Sequence, residues 1–340
     1  MPVPLDPVTL AAALMRHEST SGQEGAVVAF AESLLRERGW EARRIPVSAG
    51  RDCLLATAAG APLATLSTHL DTVPPYIPPR LADGVLHGRG ACDAKGIAAA
   101  MWCAAERLRD DGVPVALLFV VGEETAHDGA HAADAYAREH GLASRVLVNG
   151  EPTESTLAVG TKGAVRVTLH CEGRAAHSAY PELGHSATMA LVRLLAELDD
   201  LPLPSDELLG ATTVNVGSLA GGVADNVVAP WAEARLMARL VTPAEEVVER
   251  LRVWVGDRAT LDVGVSVPPV RLGTLPGFPT SVAAYATDIP ALTSWGTPYL
   301  FGPGSIHVAH TPDEHVRADE LVAAVDAYER IVRGALGERR

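Results

Sequence analysis

Hydrophobic and polar positions repeat along this chain with a period that changes from one region to the next. Val8–Glu18 and Glu24–Gly39 place apolar residues at helical spacing, and Ala94–Asp110 is rich in Ala with no internal proline. These segments predict helices. Pro62–Thr68 reads as a strand, and Val115–Val121 is an unbroken apolar run that suits a strand buried on both faces. Gly129–Gly141 reads as a helix and Arg145–Val148 as another short buried strand. Alternation of strand and helix predicts an α/β fold, a mostly parallel sheet with helices on both faces.

The period changes after Gly160. Ala164–Cys171 alternates apolar and polar residues, as an antiparallel strand with one wet face does. A helix is expected over His185–Leu198, then strands over Thr212–Leu219 and Glu233–Leu240. A helix over Pro243–Val255 and a strand over Thr260–Val267 complete an α+β insert of about a hundred residues, a usual domain size. From Gly273 the chain returns to a short apolar strand, Pro298–Phe301, and closes with a helix, Ala318–Leu336. The last residues, Glu338–Arg340, are expected to fray. The expected organisation is one discontinuous domain, 1–161 and 272–340, interrupted by a smaller inserted domain, 162–271. A length of 340 residues suits two domains, since single cores stop growing near roughly 250–300 residues.

The formal net charge of −14 argues against nucleic acid, which requires a basic face to displace counterions from phosphate. The apolar runs fall short of the ~20 residues that span a bilayer, so no membrane segment is expected. Met1–Ser19 has no basic patch followed by an apolar stretch, so no signal peptide is expected. Cys53, Cys92, Cys103 and Cys171 are scattered without CxxC spacing, which fits reduced thiols of a cytoplasmic protein.

Ligands of open α/β sheets sit at the carboxyl ends of strands. His69-Leu-Asp71 follows the first buried strand, Glu123-Glu124 the second and Glu151-Pro152 the third. A Gly-rich turn, Gly88–Gly96, delivers Asp93 to the start of a helix. Gly302-Pro-Gly304 and then His310 follow the last short strand. His69, Asp93, Glu124, Glu151 and His310 therefore converge on one sheet edge. Packed carboxylates repel one another unless a cation joins them. Two imidazoles and three carboxylates suit zinc, and cobalt or manganese also fit. One carboxylate bridging two ions would hold them roughly 3.5–4 Å apart, the geometry of co-catalytic hydrolases.

The segments STHLDTVP (67–74), GRGACDAKG (88–96), GEE (122–124), EPT (151–153), AHSAYP (176–181), GGVADNVV (221–228) and FGPG with AHTPDE (301–314) resemble, in order, the motifs of a co-catalytic zinc family. This amidohydrolase and exopeptidase family includes acetylornithine deacetylase and succinyl-diaminopimelate desuccinylase. The resemblance implies two Zn²⁺ ions, one held by His69, Asp93 and Glu151 and the other by Asp93, Glu124 and His310. It implies that Asp71 orients the His69 ring and that Glu123 is the general base, passing a proton from the attacking water to the leaving nitrogen. His177 matches the histidine that stabilises the developing oxyanion, often supplied by the partner subunit of a dimer built through the inserted domain. Asn226 and Arg239 match residues that bind the substrate carboxylate, with Arg235 the competing position because the proline after Asn226 is displaced by one place. Gly302-Pro-Gly304 resembles the loop that also lines the substrate carboxylate site.

The implied activity is hydrolysis of a small N-acyl amino acid, as by acetylornithine deacetylase. A dipeptidase or carboxypeptidase, or a hydrolase releasing an amino acid from a carrier protein, would use the same site. A non-catalytic metal-binding relative is a further alternative, disfavoured by the presence of both Glu123 and His177. His127 and His131, an i,i+4 pair, could hold a metal on a helix face, but the expectation is that they are solvated surface residues. Lys162, at the domain junction, suits a hinge, a substrate contact or a turn. Cys92 is expected to be a small buried packing residue.

Overall fold

Six strands form the central sheet of the computed structural model, which describes residues 4–58 and 60–337. They are β1 (Glu41–Ser48), β2 (Arg51–Thr57), β3 (Ala64–His69), β4 (Val115–Val120), β5 (Val146–Asn149) and β6 (Thr297–Leu300). Their order across the sheet is β1-β2-β4-β3-β5-β6. The β4–β3, β3–β5 and β5–β6 pairs are parallel, whereas β1–β2 and β2–β4 are antiparallel. Every residue of β3 and β4 is buried, so helices or loops cover both faces there, as the unbroken apolar run predicts.

The helices follow their apolar spacing. α1 (Pro7–Met15) starts at Asp6, whose carboxylate accepts the Thr9 N–H at 2.7 Å, with Pro7 in the first turn where a missing N–H is tolerated. α2 (Gly25–Glu37) packs on β1 and β2. α3 (Lys95–Asp110) is buried almost all round, and its alanines let α1 and the last helix, α7 (Ala318–Leu336), approach it closely. α4 (Asp128–His140) lies against β1, β2 and β4.

The hairpin β1–β2 is absent from the hydrophobic pattern. β1 is an edge strand with only Ala42 and Ile45 fully buried, three arginines or glutamates on its wet side, and Pro46 within it. Such a strand carries neither a continuous apolar run nor a clean alternation, and its proline fits only an edge.

The chain divides into two compact units. One comprises the described residues up to Val159, Leu272–Ser281 and the described residues from Thr287 on. The other comprises Gly160–Arg271 with Val282–Ala286. In the second unit four antiparallel strands lie in the order Thr213–Gly221, Trp231–Leu240, Gly163–Glu172, Thr260–Val267. Alternate residues Val165, Val167 and Leu169 meet Ala234 and Leu236 and the apolar faces of α5 (Ala187–Leu195) and α6 (Ala244–Val255). The opposite face is wet, so a one-residue slip of register would expose this core. Glu338–Arg340 lie outside the described residues. Among the described residues no helix is long and apolar enough to cross a membrane.

Candidate metal centre

The ends of β3, β4 and β5 deliver three of the five donors, His69, Glu124 and Glu151, because parallel strands point the same way and end at one edge. His69 is the last residue of β3 and is buried. Its Nε2 lies 3.0 Å from Asp93 Oδ1 and 4.0 Å from Glu151 Oε1. His310 Nε2 lies 3.2 Å from Asp93 Oδ2 and 2.9 Å from Glu124 Oε1. The two oxygens of Asp93 therefore face different histidines. Two donor groups result, His69–Asp93–Glu151 and Asp93–Glu124–His310, each with its donor atoms within 4.8 Å of one another. Donors this close, with one nitrogen and two carboxylate oxygens each, fit a pair of divalent cations sharing Asp93.

The electrostatics point the same way. Burial pushes the Glu151 carboxyl above its usual range, and the neighbouring Asp93 and Asp288 add to this. Burial, then Glu151 and Asp288, raise Glu123 as well. Burial also opposes ionisation of Asp93, but hydrogen bonds from His310 and His69 outweigh it and hold that carboxyl low. The carboxylates of Asp93 and Glu124 raise His310 to about 10. These shifts express one requirement, positive charge among the carboxylates, which divalent cations supply more fully than imidazolium protons do.

The rest of the scaffold is built around these groups. His69 Nδ1 lies 2.9 Å from the backbone carbonyl of Asp71 and 3.6 Å from its carboxylate, so the carbonyl is the nearer acceptor fixing the ring. The Asp71 carboxylate instead accepts the backbone N–H groups of Glu123 and Glu124, both at 3.2 Å, and the Ser21 hydroxyl at 2.7 Å. It thus also fixes the turn carrying the Glu pair, while standing 3.6 Å from the His69 ring that the motif suggests it orients. Gly122 turns that loop with φ +76°, and a Cβ there would stand 2.0 Å from Asp128 Oδ1.

Glu314 belongs to a recognised motif, but its task is not readable from spacing. It is buried, pairs with the buried Arg89 guanidinium, and accepts the N–H groups of Gly90 at 2.9 Å, Cys92 at 3.3 Å and Asp93 at 3.2 Å. One carboxylate thereby shapes the turn that presents Asp93. Glu314→Ala leaves the Arg89 charge and three N–H donors without it, so a loss of about 3–5 kcal/mol is expected in urea unfolding. An unchanged unfolding midpoint would remove Glu314 from this role. Gly304, at φ +80°, passes so close that a Cβ would lie 2.6 Å from Cys92 Cβ. Cys92 is buried, in keeping with a packing role.

His127 is not the solvated residue that its spacing suggests. Its ring is turned inward, with Nδ1 2.8 Å from Asp288 Oδ1, and the residue stands at the start of α4 in the left-handed conformation. His131 is exposed.

The remaining sequence-derived candidates lie in the second unit. His177 is exposed, and its Nδ1 accepts the Ala179 N–H at 3.1 Å. It bridges Val227, and Ser178 N–H donates to the Asn226 carbonyl at 2.9 Å, so the backbone brings the His177 and Asn226 motifs side by side. Arg239 is half-buried on its strand, while Arg235 is exposed and paired with Glu233 at 2.8 Å. Lys162 Nζ donates to the Ala211 carbonyl at 2.5 Å.

A sheet edge carrying two such donor groups defines a metal-dependent hydrolase. Residues 65–334 match the model of peptidase family M20/M25/M40, and the chain belongs to that family. It is accordingly an enzyme acting on amide bonds. A peptidase M20 domain-containing protein of Schizosaccharomyces pombe is 36% identical over 337 residues, covering 96% of this chain and 84% of that one. A probable carboxypeptidase of Paracoccidioides lutzii is 36% identical over 367 residues, covering 94% and 83%. The fold matches the crystal structure of a tripeptidase from Staphylococcus aureus with a TM-score of 0.81 at 20% identity, covering 97% and 98%. It also matches human carnosine dipeptidase 1 with a TM-score of 0.76 at 14% identity, covering 97% and 96%.

Proposed function

We propose that this chain is a di-zinc hydrolase that cleaves the amide joining an acyl group to the amine of a small amino acid, in the manner of an acetylornithine deacetylase. The observation that carries the two-cation reading is the pair of histidines on opposite oxygens of Asp93, at 3.0 and 3.2 Å. Bound cations supply Lewis-acid activation of the amide carbonyl and a water acidic enough to attack near neutral pH. The chain's own residues do the rest. Glu123, next to Glu124 and held by the Asp71 carboxylate, takes the proton of the attacking water at its carboxylate and returns it to the leaving nitrogen. His177 donates to the oxygen on which negative charge develops. Asn226, Arg239 and the Gly304 loop hold the substrate carboxylate, with Arg239 suited to a bidentate grip. In this reading residues 162–271 are the lid and dimerisation domain, and residues 1–161 with 272–340 are the catalytic domain. A homodimer through the second unit and a cytoplasmic location complete it.

A second reading shares every one of these residues. The probable carboxypeptidase relative, 36% identical across 94% of this chain, favours release of a C-terminal amino acid from a dipeptide or longer peptide. Release of free amine from N-acetyl-ornithine, N-acetyl-citrulline, N-succinyl-diaminopimelate and several dipeptides, with zinc present, separates the two. The expected result is preference for one N-acylated amino acid. Turnover of dipeptides alone moves the chain to the exopeptidases. Turnover of nothing in the panel, with two cations bound, favours either an aminoacyl carrier protein as substrate or a non-catalytic metal-binding role.

A further inference from the structure

We propose that Glu123, His127 and Asp288 form a third divalent-cation site, weaker than the two that share Asp93, whose occupancy shuts the enzyme down. The three side chains offer one nitrogen and two carboxylate oxygens within 4.8 Å of one another, the same donor composition as each of the other two groups. His127 Nδ1 is 2.8 Å from Asp288 Oδ1 and 3.8 Å from Glu123 Oε1, separations of the order found between ligands around one tetrahedral zinc. The side chains are only 14%, 2% and 11% exposed respectively, so none is a solvated surface group.

Three different segments build the group. Glu123 comes from the turn after β4, His127 from the cap of α4, and Asp288 from the residue preceding the short helix Ile289–Ala291. The His127 N–H donates to the Gly122 carbonyl at 2.9 Å, closing the turn tightly enough to bring residues 123 and 127 onto the same side. His127 adopts φ +55°, an uncommon backbone state for a residue other than glycine. The group shares no residue with the other two. Glu124 points to His310, whereas Glu123 points away toward His127.

The placement of the carboxylates supports a third cation. Glu123 and Asp288 belong to neither of the groups that share Asp93, and both face the one imidazole of His127. His127 is the basic side chain standing between Glu123 and Asp288. A ligating imidazole binds a cation through a ring nitrogen in its neutral form, and Nδ1 is the nitrogen turned to both carboxylates. The inhibitory consequence rests on the reading of Glu123 as general base. A carboxylate engaged with a cation is a weaker base, and the oxygen turned to the cation is withheld from the proton of the attacking water.

Zinc is the probe. The chelator-stripped full chain is dialysed against rising free zinc, and metal per chain is measured together with turnover. The expected wild-type result is two tight equivalents and a third, weaker one, with turnover falling as the third fills. In His127→Gln the third equivalent is expected to weaken by at least about 10–100-fold and the high-zinc inhibition to shift with it. Asp288→Asn, checked for folding by circular dichroism, is expected to behave likewise. A wild-type chain that stops at two equivalents overturns the third site and leaves the two-cation reading standing. A third equivalent that survives in His127→Gln places it elsewhere and also overturns the proposal. Fewer than two equivalents in the wild type overturns the two-cation reading itself, and the third site with it. Third-equivalent binding without loss of turnover keeps the site and overturns its inhibitory role.

Discussion

Replacing Glu123 by Gln is expected to lower turnover about 10²–10⁴-fold while two cations remain bound per chain. Gln keeps the volume and burial of Glu123 and keeps its backbone N–H on Asp71 Oδ1. What it removes is a site for one proton. The position is built for that proton. Burial and the nearby carboxylates of Glu151 and Asp288 raise the affinity of Glu123 for it, which brings the group closer to the pH at which it must both accept and release. Steady-state turnover and metal content, measured on the same preparation, check this. Normal turnover would sink the assignment as base. Loss of turnover together with loss of metal would make Glu123 a ligand or scaffold residue instead.

Asp93→Ala is expected to have the larger effect, because the two donor groups intersect at that one carboxylate. Its two oxygens face His69 and His310 separately, so no other single substitution removes a donor from both. Metal content is expected to fall from two per chain to below one. Turnover should then drop toward the uncatalysed rate, a loss of about 10⁶-fold or more. Glu151→Ala and His310→Ala provide the comparison, each removing a donor from one group only and leaving one cation. Retention of two cations by Asp93→Ala would show that the carboxylate does not bridge. The measurement is elemental analysis after dialysis, alongside circular dichroism to establish folding.

Much of this is legible in the sequence alone. Val115–Val121 reads as a buried strand because a strand covered on both faces has no polar side to show, and β4 is buried throughout. The closing helix, Ala318–Leu336, agrees with its sequence expectation at both ends, since its apolar spacing is strict and Gly337 ends it in the left-handed conformation. His69, Asp93, Glu124, Glu151 and His310 were readable because they stand at strand ends or in Gly-rich turns, where chain direction dictates convergence. Other features were not. β1 reveals little because an edge strand can be mostly polar. His127 looked like a surface residue because its inward turn depends on Asp288, 161 positions away in the chain. Glu314 sits in a motif, but its work is to accept N–H groups from a turn more than 220 residues earlier, and hydrogen-bond partners at that separation leave no periodic trace. The Asp71 carboxylate likewise serves the Glu123–Glu124 turn through backbone donors, which side-chain motifs do not encode.

The bond from Glu314 to the turn at residues 90–93 also sets an order of events during synthesis. A ribosome makes the chain from the amino end, so Asp93 is available long before Glu314 or His310 has left the exit tunnel. Domains fold as units as they emerge, but this unit is incomplete until its carboxyl-terminal segment arrives. The strand Thr297–Leu300, which completes the sheet edge beside β5, arrives equally late. Nascent chains therefore pass through a period with His69, Asp93, Glu124 and Glu151 in hand and no finished pocket. A chain stalled or cut before residue 310 is a protein fragment with the first of its two donor groups and without the second.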